Sequence, residues 1–106
     1  MTLQHVVLFS FPEDLSDADA ADMHGQVAAW PAMIGGMTRL RFGNDLTGAR
    51  TNGYSRLLYM EFGGTAELKT YQQHPVHQAF QRWLNERQCT TLAFDYFLDN
   101  ESDLMS

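Results

Sequence analysis

Four β-prone runs of this chain carry apolar side chains at both odd and even positions, and only two intervening segments have a helical period. The runs cover residues 3–11, 37–46, 54–62 and 90–98. Because two helices cover one face of a sheet, the pattern leaves a second apolar face uncovered. Soluble monomers rarely expose so large an apolar patch. We therefore expect a homodimer in which the sheets of two copies pack face to face.

The first helical segment begins after the strand that is predicted over residues 3–11. Ser16 and Asp19 have the spacing of a capping box at its start. Apolar residues then recur at three- and four-residue steps, namely Ala20, Met23, Val27, Trp30 and Ile34. This pattern predicts an amphipathic helix that ends near Pro31.

The second helical segment is interrupted by a proline. Thr65 is the expected cap of a helix over residues 66–73. Pro75 disfavours helical geometry at His74, so we expect a break there and a second helical piece from residue 75 to about residue 87.

The elements follow one another as strand, helix, strand, strand, helix, strand. With right-handed crossovers this order predicts the α+β, ferredoxin-like βαββαβ arrangement, a four-stranded antiparallel sheet with both helices on one face. Residues 43–53 are rich in Gly, Asn and Thr and are expected to form a loop. We expect one domain over residues 1–106, with a core at about 3–98 and a flexible tail at 99–106.

Charge and composition exclude several classes of function. The net charge of -6 is the wrong sign for binding nucleic acid or an anionic membrane. The first residues lack a basic region, a cleavage site and a membrane-length apolar span, which predicts a cytoplasmic protein. Cys89 is the single cysteine, so we expect no disulfide and assign it a structural role.

Three polar residues interrupt the apolar strands. His5, Arg56 and Asp95 lie at alternate positions that we expect to face the second copy. Burying each of them costs free energy unless it is paired. They either hydrogen-bond to one another across the sheet, lie at the solvent-exposed rim of the sheet, or together line a polar cavity.

A second polar cluster lies on the second helical segment. Tyr71, His74 and His77 are spaced three residues apart, which would align them on one face of a continuous helix. Two histidines with Asp95 nearby fall short of the usual three-ligand metal shell, so we expect no metal and no cofactor. His24 is expected to be an ordinary exposed residue.

Four segments carry a resemblance to a known family. They are the first strand QHVVLFSF, the segment GYSRLLYMEF, the helix ELKTYQQHPVHQAF and the closing strand LAFDYFL. In this order they resemble the stress-responsive dimeric α/β barrel (Dabb) family over residues 3–98. The resemblance implies a ferredoxin-like protomer that forms a dimeric α/β barrel through its sheets.

The family includes stress proteins and cofactor-independent polyketide cyclases similar to olivetolic acid cyclase. The resemblance implies that Tyr71 and His77 are catalytic, with Asp95 supporting His77, and that His5 lines the pocket. At the third strand this chain departs from the cyclase pattern, because Arg56 stands where the cyclase has a second pocket histidine. The identity of the substrate is therefore open.

These residue types suit an aldol-type cyclisation or a related lyase or isomerase reaction. A histidine such as His77, oriented by Asp95, is a suitable base for a carbon acid, and Tyr71 can donate to the developing oxyanion. Arg56 remains protonated and predicts an anionic, partly aromatic or β-keto acid ligand. His5 and His74 are further candidate binding residues, and the expected apolar walls are Phe9, Phe42, Leu58, Met60 and Phe97.

Two alternatives remain open. In the first, the protein is a non-catalytic, stress-responsive dimeric ligand-binding protein, and His77 and Asp95 form a structural hydrogen bond. In the second, the protein is a haem-degrading protein or a quinol-forming monooxygenase, an alternative that rests on fold analogy alone. The candidate haem ligands would be His24, His74 and His77.

Overall fold

The computed structural model describes residues 2–105, and its elements follow the expected strand and helix order. The strands are β1 (Leu3–Ser10), β2 (Met37–Asn44), β3 (Tyr54–Phe62) and β4 (Thr90–Phe97). The helices are α1 (Asp17–Ala28), α2 (Trp30–Met33), α3 (Thr65–Gln73) and α4 (Pro75–Glu86), and a 3-10 turn follows at Leu98–Asn100.

The strands form one antiparallel sheet in the order β2-β3-β1-β4, which confirms the ferredoxin-like fold. In the register of this sheet, His5 of β1 lies opposite Met60 of β3 and opposite Asp95 of β4. Directly opposed residues project from the same face, so the register brings these three side chains together.

The face that carries His5 packs against the helices, and the expectation that it meets a second copy is wrong. Phe9 and Leu58 on this inner face are fully buried, and the helices contribute Trp30, Tyr71 and Phe80 to the same core. Both faces of the strands are apolar, so strand alternation does not distinguish them. The side on which the crossover helices lie decides which face is covered.

The opposite face, here called the outer face, is the apolar surface left open. Its large apolar side chains include Leu57, Leu92 and Phe94, all exposed. The polar groups nearby are paired within the protomer, because Glu61 accepts a hydrogen bond from the Tyr59 hydroxyl at 2.7 Å and forms an ion pair with Arg39 at 3.4 Å. Burial, followed by the bond to Glu61, raises the pKa of Tyr59 to about 12, which keeps its hydroxyl a donor.

The first helical segment begins as expected and ends differently. The Ser16 hydroxyl accepts a hydrogen bond from the Asp19 backbone N–H at 3.1 Å, which confirms the cap. The helical segment does not end near Pro31, as was expected. Instead α1 ends at Ala28, and Pro31 lies in the first turn of α2, where its missing N–H removes no helical hydrogen bond. The short α2 places the fully buried Trp30 in the core.

The second helical segment breaks at His74 as predicted. His74 has extended backbone geometry with ψ 137, and Pro75 begins α4. Thr65, expected as the cap of α3, is its first helical residue, and the capping position belongs to Gly64 without a side-chain hydrogen bond.

Strand β2, predicted over residues 37–46, ends at Asn44, and it includes Gly43, so the loop expected over residues 43–53 begins after Asn44. Gly48 and Gly53 have φ of 69 and 88, which glycine adopts without strain. Strand β4 ends at Phe97, one residue before the predicted end, and residues 98–105 are all exposed. Within residues 2–105, no helix has both the length and the apolar character needed to cross a bilayer.

Candidate functional site

Three polar rings lie close together between the sheet and the helices. The centroid of the Tyr71 ring lies 4.3 Å from that of His77 and 5.9 Å from that of His5. Their side chains are almost fully buried, with residue exposures of 1% for Tyr71, 8% for His77 and 5% for His5. The sequence predicted all three as site residues, and the fold brings them together.

Three different elements position these rings. His5 lies on the central strand β1, Tyr71 on the last turn of α3, and His77 on the first turn of α4. Because the chain breaks between the two helices, Tyr71 and His77 approach each other across the break and not along one continuous helix.

The same break removes His74 from this group. Its Nδ1 accepts a hydrogen bond from the backbone N–H of Val76 at 3.1 Å, so the side chain caps α4. His74 does not line the cavity beside Tyr71 and His77, and the expected alignment of all three on one helix face is wrong.

Replacing His74 with Ala is expected to lower the free energy of unfolding by about 1 kcal/mol, because α4 loses its capping acceptor. His74→Asn supplies a new acceptor at the cap and should restore most of that loss. Chemical denaturation of both variants measures the effect. Equal destabilisation by Ala and Asn would contradict the capping role.

His77 has one nitrogen engaged and one free for chemistry. Its Nδ1 lies 3.2 Å from the carbonyl oxygen of Gln72, and because a carbonyl only accepts, this nitrogen carries the proton in the neutral ring. The Nε2 lone pair is then left as a base. Burial lowers the pKa of His77, opposed by the Gln72 hydrogen bond and assisted by repulsion from His5. The ring is therefore neutral at pH 7.

Asp95 supports His5, and the expected pairing of Asp95 with His77 is wrong. The Asp95 carboxylate hydrogen-bonds to Nδ1 of His5, its direct neighbour in the β1–β4 register. His77 lies on the helix layer above the sheet, with its own Nδ1 already bound to Gln72. The carboxylate fixes the orientation of the His5 ring and leaves Nε2 of His5 as the unengaged nitrogen.

Tyr71 is a neutral hydrogen-bond donor in this environment. Burial raises the pKa of its phenol well above the ordinary value of 10.0. A buried phenol that resists ionisation donates its proton in a hydrogen bond to an oxyanion without transferring it.

The three rings line a cavity of about 420 Å³ between α4 and the inner face of the sheet. Phe9 and Leu58 of the expected walls also line it. The other expected walls do not, namely Phe42, Met60 and Phe97. Cys89 lies at the cavity, where burial raises the pKa of its thiol to about 11, so the thiol is un-ionised at neutral pH.

Arg56 lies at a different cavity, which removes the expected cation from the histidine site. It lines a space of about 530 Å³ together with Arg50, Leu57 and Leu92. The β1–β3 register shifts between Phe9 and Ser10, beside the Phe9–Arg56 pair, and such an irregularity breaks the alternation of side chains between the two faces.

Several residues of the site were not predicted from the sequence. The Trp30 ring packs against both Tyr71 and His77, at centroid distances of 5.4 and 6.0 Å. Gln81 and Asn85 line the cavity as well, four and eight residues after His77 on α4. Because residues four apart share a helix face, this spacing from His77 could have predicted from the sequence that the two amides line the site.

Among residues 2–105, no three His, Cys, Asp or Glu side chains converge in a way that could hold a metal ion. Exposed His24 lies on α1, edge-on to Phe42 at 6.3 Å, in agreement with its assignment as an ordinary surface residue.

Comparison with known proteins identifies both a family and a set of similar folds. The family model described as Stress responsive A/B Barrel Domain (Dabb) matches residues 3–98. No curated protein matches the chain. A protein of unknown function from Bacteroides fragilis, described as dimeric and ferredoxin-like, is 25% identical with a TM-score of 0.73, and the match covers 90% of this chain and 94% of that one.

Two similar structures are enzymes. A hydroxynitrile lyase from Passiflora edulis has a TM-score of 0.82 at 16% identity, covering 96% of this chain and 97% of its own. A cofactor-independent oxygenase from Streptomyces nogalater has a TM-score of 0.72 at 13% identity, and the match covers 99% of this chain and 98% of that one. At these identities the similarity establishes a common fold.

Proposed function

This chain belongs to the stress responsive A/B barrel domain family, and we propose that it is a cofactor-independent enzyme that abstracts a proton next to a carbonyl. The reaction class is aldol-type cyclisation of a β-keto or related carbonyl compound, or the corresponding lyase or isomerase reaction. The observation that carries the proposal is the neutral His77, with its Nε2 free, against the protonated Tyr71 at one cavity.

The chemistry needs a base and a hydrogen-bond donor, and two side chains of the site are suited to these roles. Nε2 of His77 takes a proton from the carbon next to the substrate carbonyl, and the Tyr71 hydroxyl donates a hydrogen bond to the enolate oxygen. The enolate carbon then attacks a second carbonyl in the same molecule and forms the new C–C bond. The resulting alkoxide takes the proton back from His77, so the addition is an isomerisation with no net oxidation.

His5 and Asp95 support the same reaction from the sheet side. The His5 ring lies 5.9 Å from the Tyr71 ring and lines the same cavity as His77, and the hydrogen bond to Asp95 holds it in place. In its imidazolium form the ring carries N–H on both nitrogens, so Nε2 can donate a hydrogen bond to the second carbonyl of the substrate while Nδ1 donates to Asp95. Repulsion from His5 also contributes to the lowered pKa of His77, which favours the base form.

We propose further that the protein is a homodimer formed through the outer face. The exposed apolar side chains of this face are the main support, since a monomer would leave them in water. The pairing of Glu61 with Tyr59 and Arg39 satisfies polar groups that the second copy would cover. The similar Bacteroides fragilis protein is itself described as dimeric.

Turnover of a linear diketone tests the proposed activity. A chain with two carbonyls separated by three methylene groups closes to a six-membered β-hydroxy ketone, which loses water to a conjugated enone that absorbs in the ultraviolet. We expect the wild type to form this product and Tyr71→Phe to form it about a hundredfold more slowly, because the oxyanion loses its donor. The hydroxyl is the only group removed and the aromatic ring is retained, so folding should be unchanged.

No enone from the wild type, together with no deuterium uptake at the carbons next to the carbonyls in deuterated water, would reject the proposal. The protein would then be better described as a non-catalytic, ligand-binding dimer. Wild-type rates in Tyr71→Phe would remove Tyr71 from the mechanism.

A further inference from the structure

The helix wall of the histidine cavity carries a row of uncharged polar side chains. His77, Gln81 and Asn85 follow one another at four-residue steps along α4, and all three line the cavity. Side chains four residues apart lie on the same helix face, and each step advances about 6 Å along the axis. Two carboxamides therefore extend away from the reacting nitrogen of His77.

The opposite wall, formed by the sheet, is largely apolar away from His5, and Thr91 is its other polar side chain. Val7, Phe9 and Leu58 face the cavity from β1 and β3, and Ala93 faces it from β4. A ligand that extends away from His5 meets two carboxamides along one edge and mainly hydrocarbon along the other. The shape suits an extended chain whose oxygen atoms lie on one side.

The cavity also lacks a partner for a carboxylate. Of the described residues that line it, none is an Arg, Lys, Asp or Glu, and its two histidines are the sole titratable bases there. Burial disfavours the charged form of His77, and the Asp95 carboxylate lies against His5. A carboxylate beside the carboxamides would lose part of its hydration without gaining a paired cation, whereas carboxamides bind neutral hydroxyl, carbonyl and amide groups well.

We propose that Gln81 and Asn85 are specificity-determining residues that select an uncharged, extended carbonyl substrate over the corresponding carboxylate. This inference rests on the proposed function, because it places the reacting carbon at His77. It replaces the anionic ligand expected from Arg56, since that residue lines the other cavity.

Three diketones of equal length test the selection. Each carries its two carbonyls three methylene groups apart, and four methylenes further on it ends in a methyl group, a carboxamide or a carboxylate. We expect the wild type to turn over the amide with a kcat/KM roughly fivefold above that of the methyl compound, through one hydrogen bond to Gln81. The carboxylate should be at least about tenfold poorer than the amide.

A variant that introduces a positive charge provides a second test of the proposal. Gln81 is exposed at the cavity, so Gln81→Lys is compatible with folding and places a cation along the row. We expect this variant to invert the preference, raising kcat/KM for the carboxylate and lowering it for the amide, each about tenfold. Gln78→Lys is the matched control, because exposed Gln78 lies on the same helix but away from the cavity.

The outcomes separate this inference from the activity it builds on. Turnover of the methyl compound with equal rates for amide and carboxylate, unchanged in Gln81→Lys, would overturn the selection and leave the activity standing. The same inversion in Gln78→Lys would also overturn it. If no diketone reacts, ligand-observed NMR binding of the three compounds decides the selection separately. Equal affinities or no binding would reject it, and amide-selective binding inverted by Gln81→Lys would uphold it.

Discussion

Replacing His77 with Asn should lower turnover of the diketone substrates by about a thousandfold while the protein folds normally. The Asn amide nitrogen occupies nearly the position of the imidazole Nδ1, so it still donates to the Gln72 carbonyl, which the native ring meets at 3.2 Å. Asn lacks a basic nitrogen at the position of Nε2. The variant therefore removes the base and retains the local hydrogen bond, and kcat together with the thermal midpoint measures both effects.

A structural role for His77 makes a different prediction. If the ring served only to satisfy Gln72, His77→Ala would destabilise the fold, His77→Asn would restore it, and neither would change a rate. Full activity in His77→Asn would contradict the assignment of the base.

The pH dependence of wild-type kcat/KM is a second readout of the same base. Because burial lowers the pKa of His77 below its ordinary value of 6.5, the rate should rise with pH below 6.5 and be level by pH 7. The raised pKa of Tyr71 keeps the phenol protonated, so no decline is expected below pH 10.

The strand order, and the break at His74, were predictable because both depend on local chemistry. Runs of β-prone residues without a helical period identify the strands, and a proline ring disfavours helical geometry at the residue before it. The helix ends were less predictable. Pro31 marks either the end of one helix or the first turn of another, and the packing of the neighbouring Trp30 into the core decides between them.

The site was predictable in its residues and not in its pairings. The sequence identifies His5, Tyr71 and His77, but the partner of each histidine depends on three-dimensional placement. Asp95 meets His5 because the strand register opposes them, and His77 meets the Gln72 carbonyl that lies just before the helix break. The position of Arg56 depends on an irregularity of strand pairing, for which local sequence carries no clear signal.

Replacing Phe94 with Glu should convert the proposed dimer into monomers. Phe94 is 65% exposed on the outer face of β4, so the change does not disturb the protomer core. In a symmetric dimer the substitution occurs twice at the interface, which therefore gains two carboxylates and loses two aromatic rings. Burying them without partners costs on the order of 4 kcal/mol, which corresponds to about a thousandfold in Kd. Sedimentation equilibrium should find the protomer mass of 12.1 kDa for the variant and twice that mass for the wild type.

A second exposed apolar residue provides the control for charge alone. Met33 is 57% exposed on α2, on the helix side of the sheet, and Met33→Glu adds the same charge away from the outer face. This variant should remain a dimer. A dimeric Phe94→Glu would move the interface to another surface, and a monomeric wild type would mean that the exposed apolar face has a different occupant. Because the histidine cavity opens on the other side of the sheet, a folded Phe94→Glu monomer should retain the diketone reaction if each protomer holds a complete site.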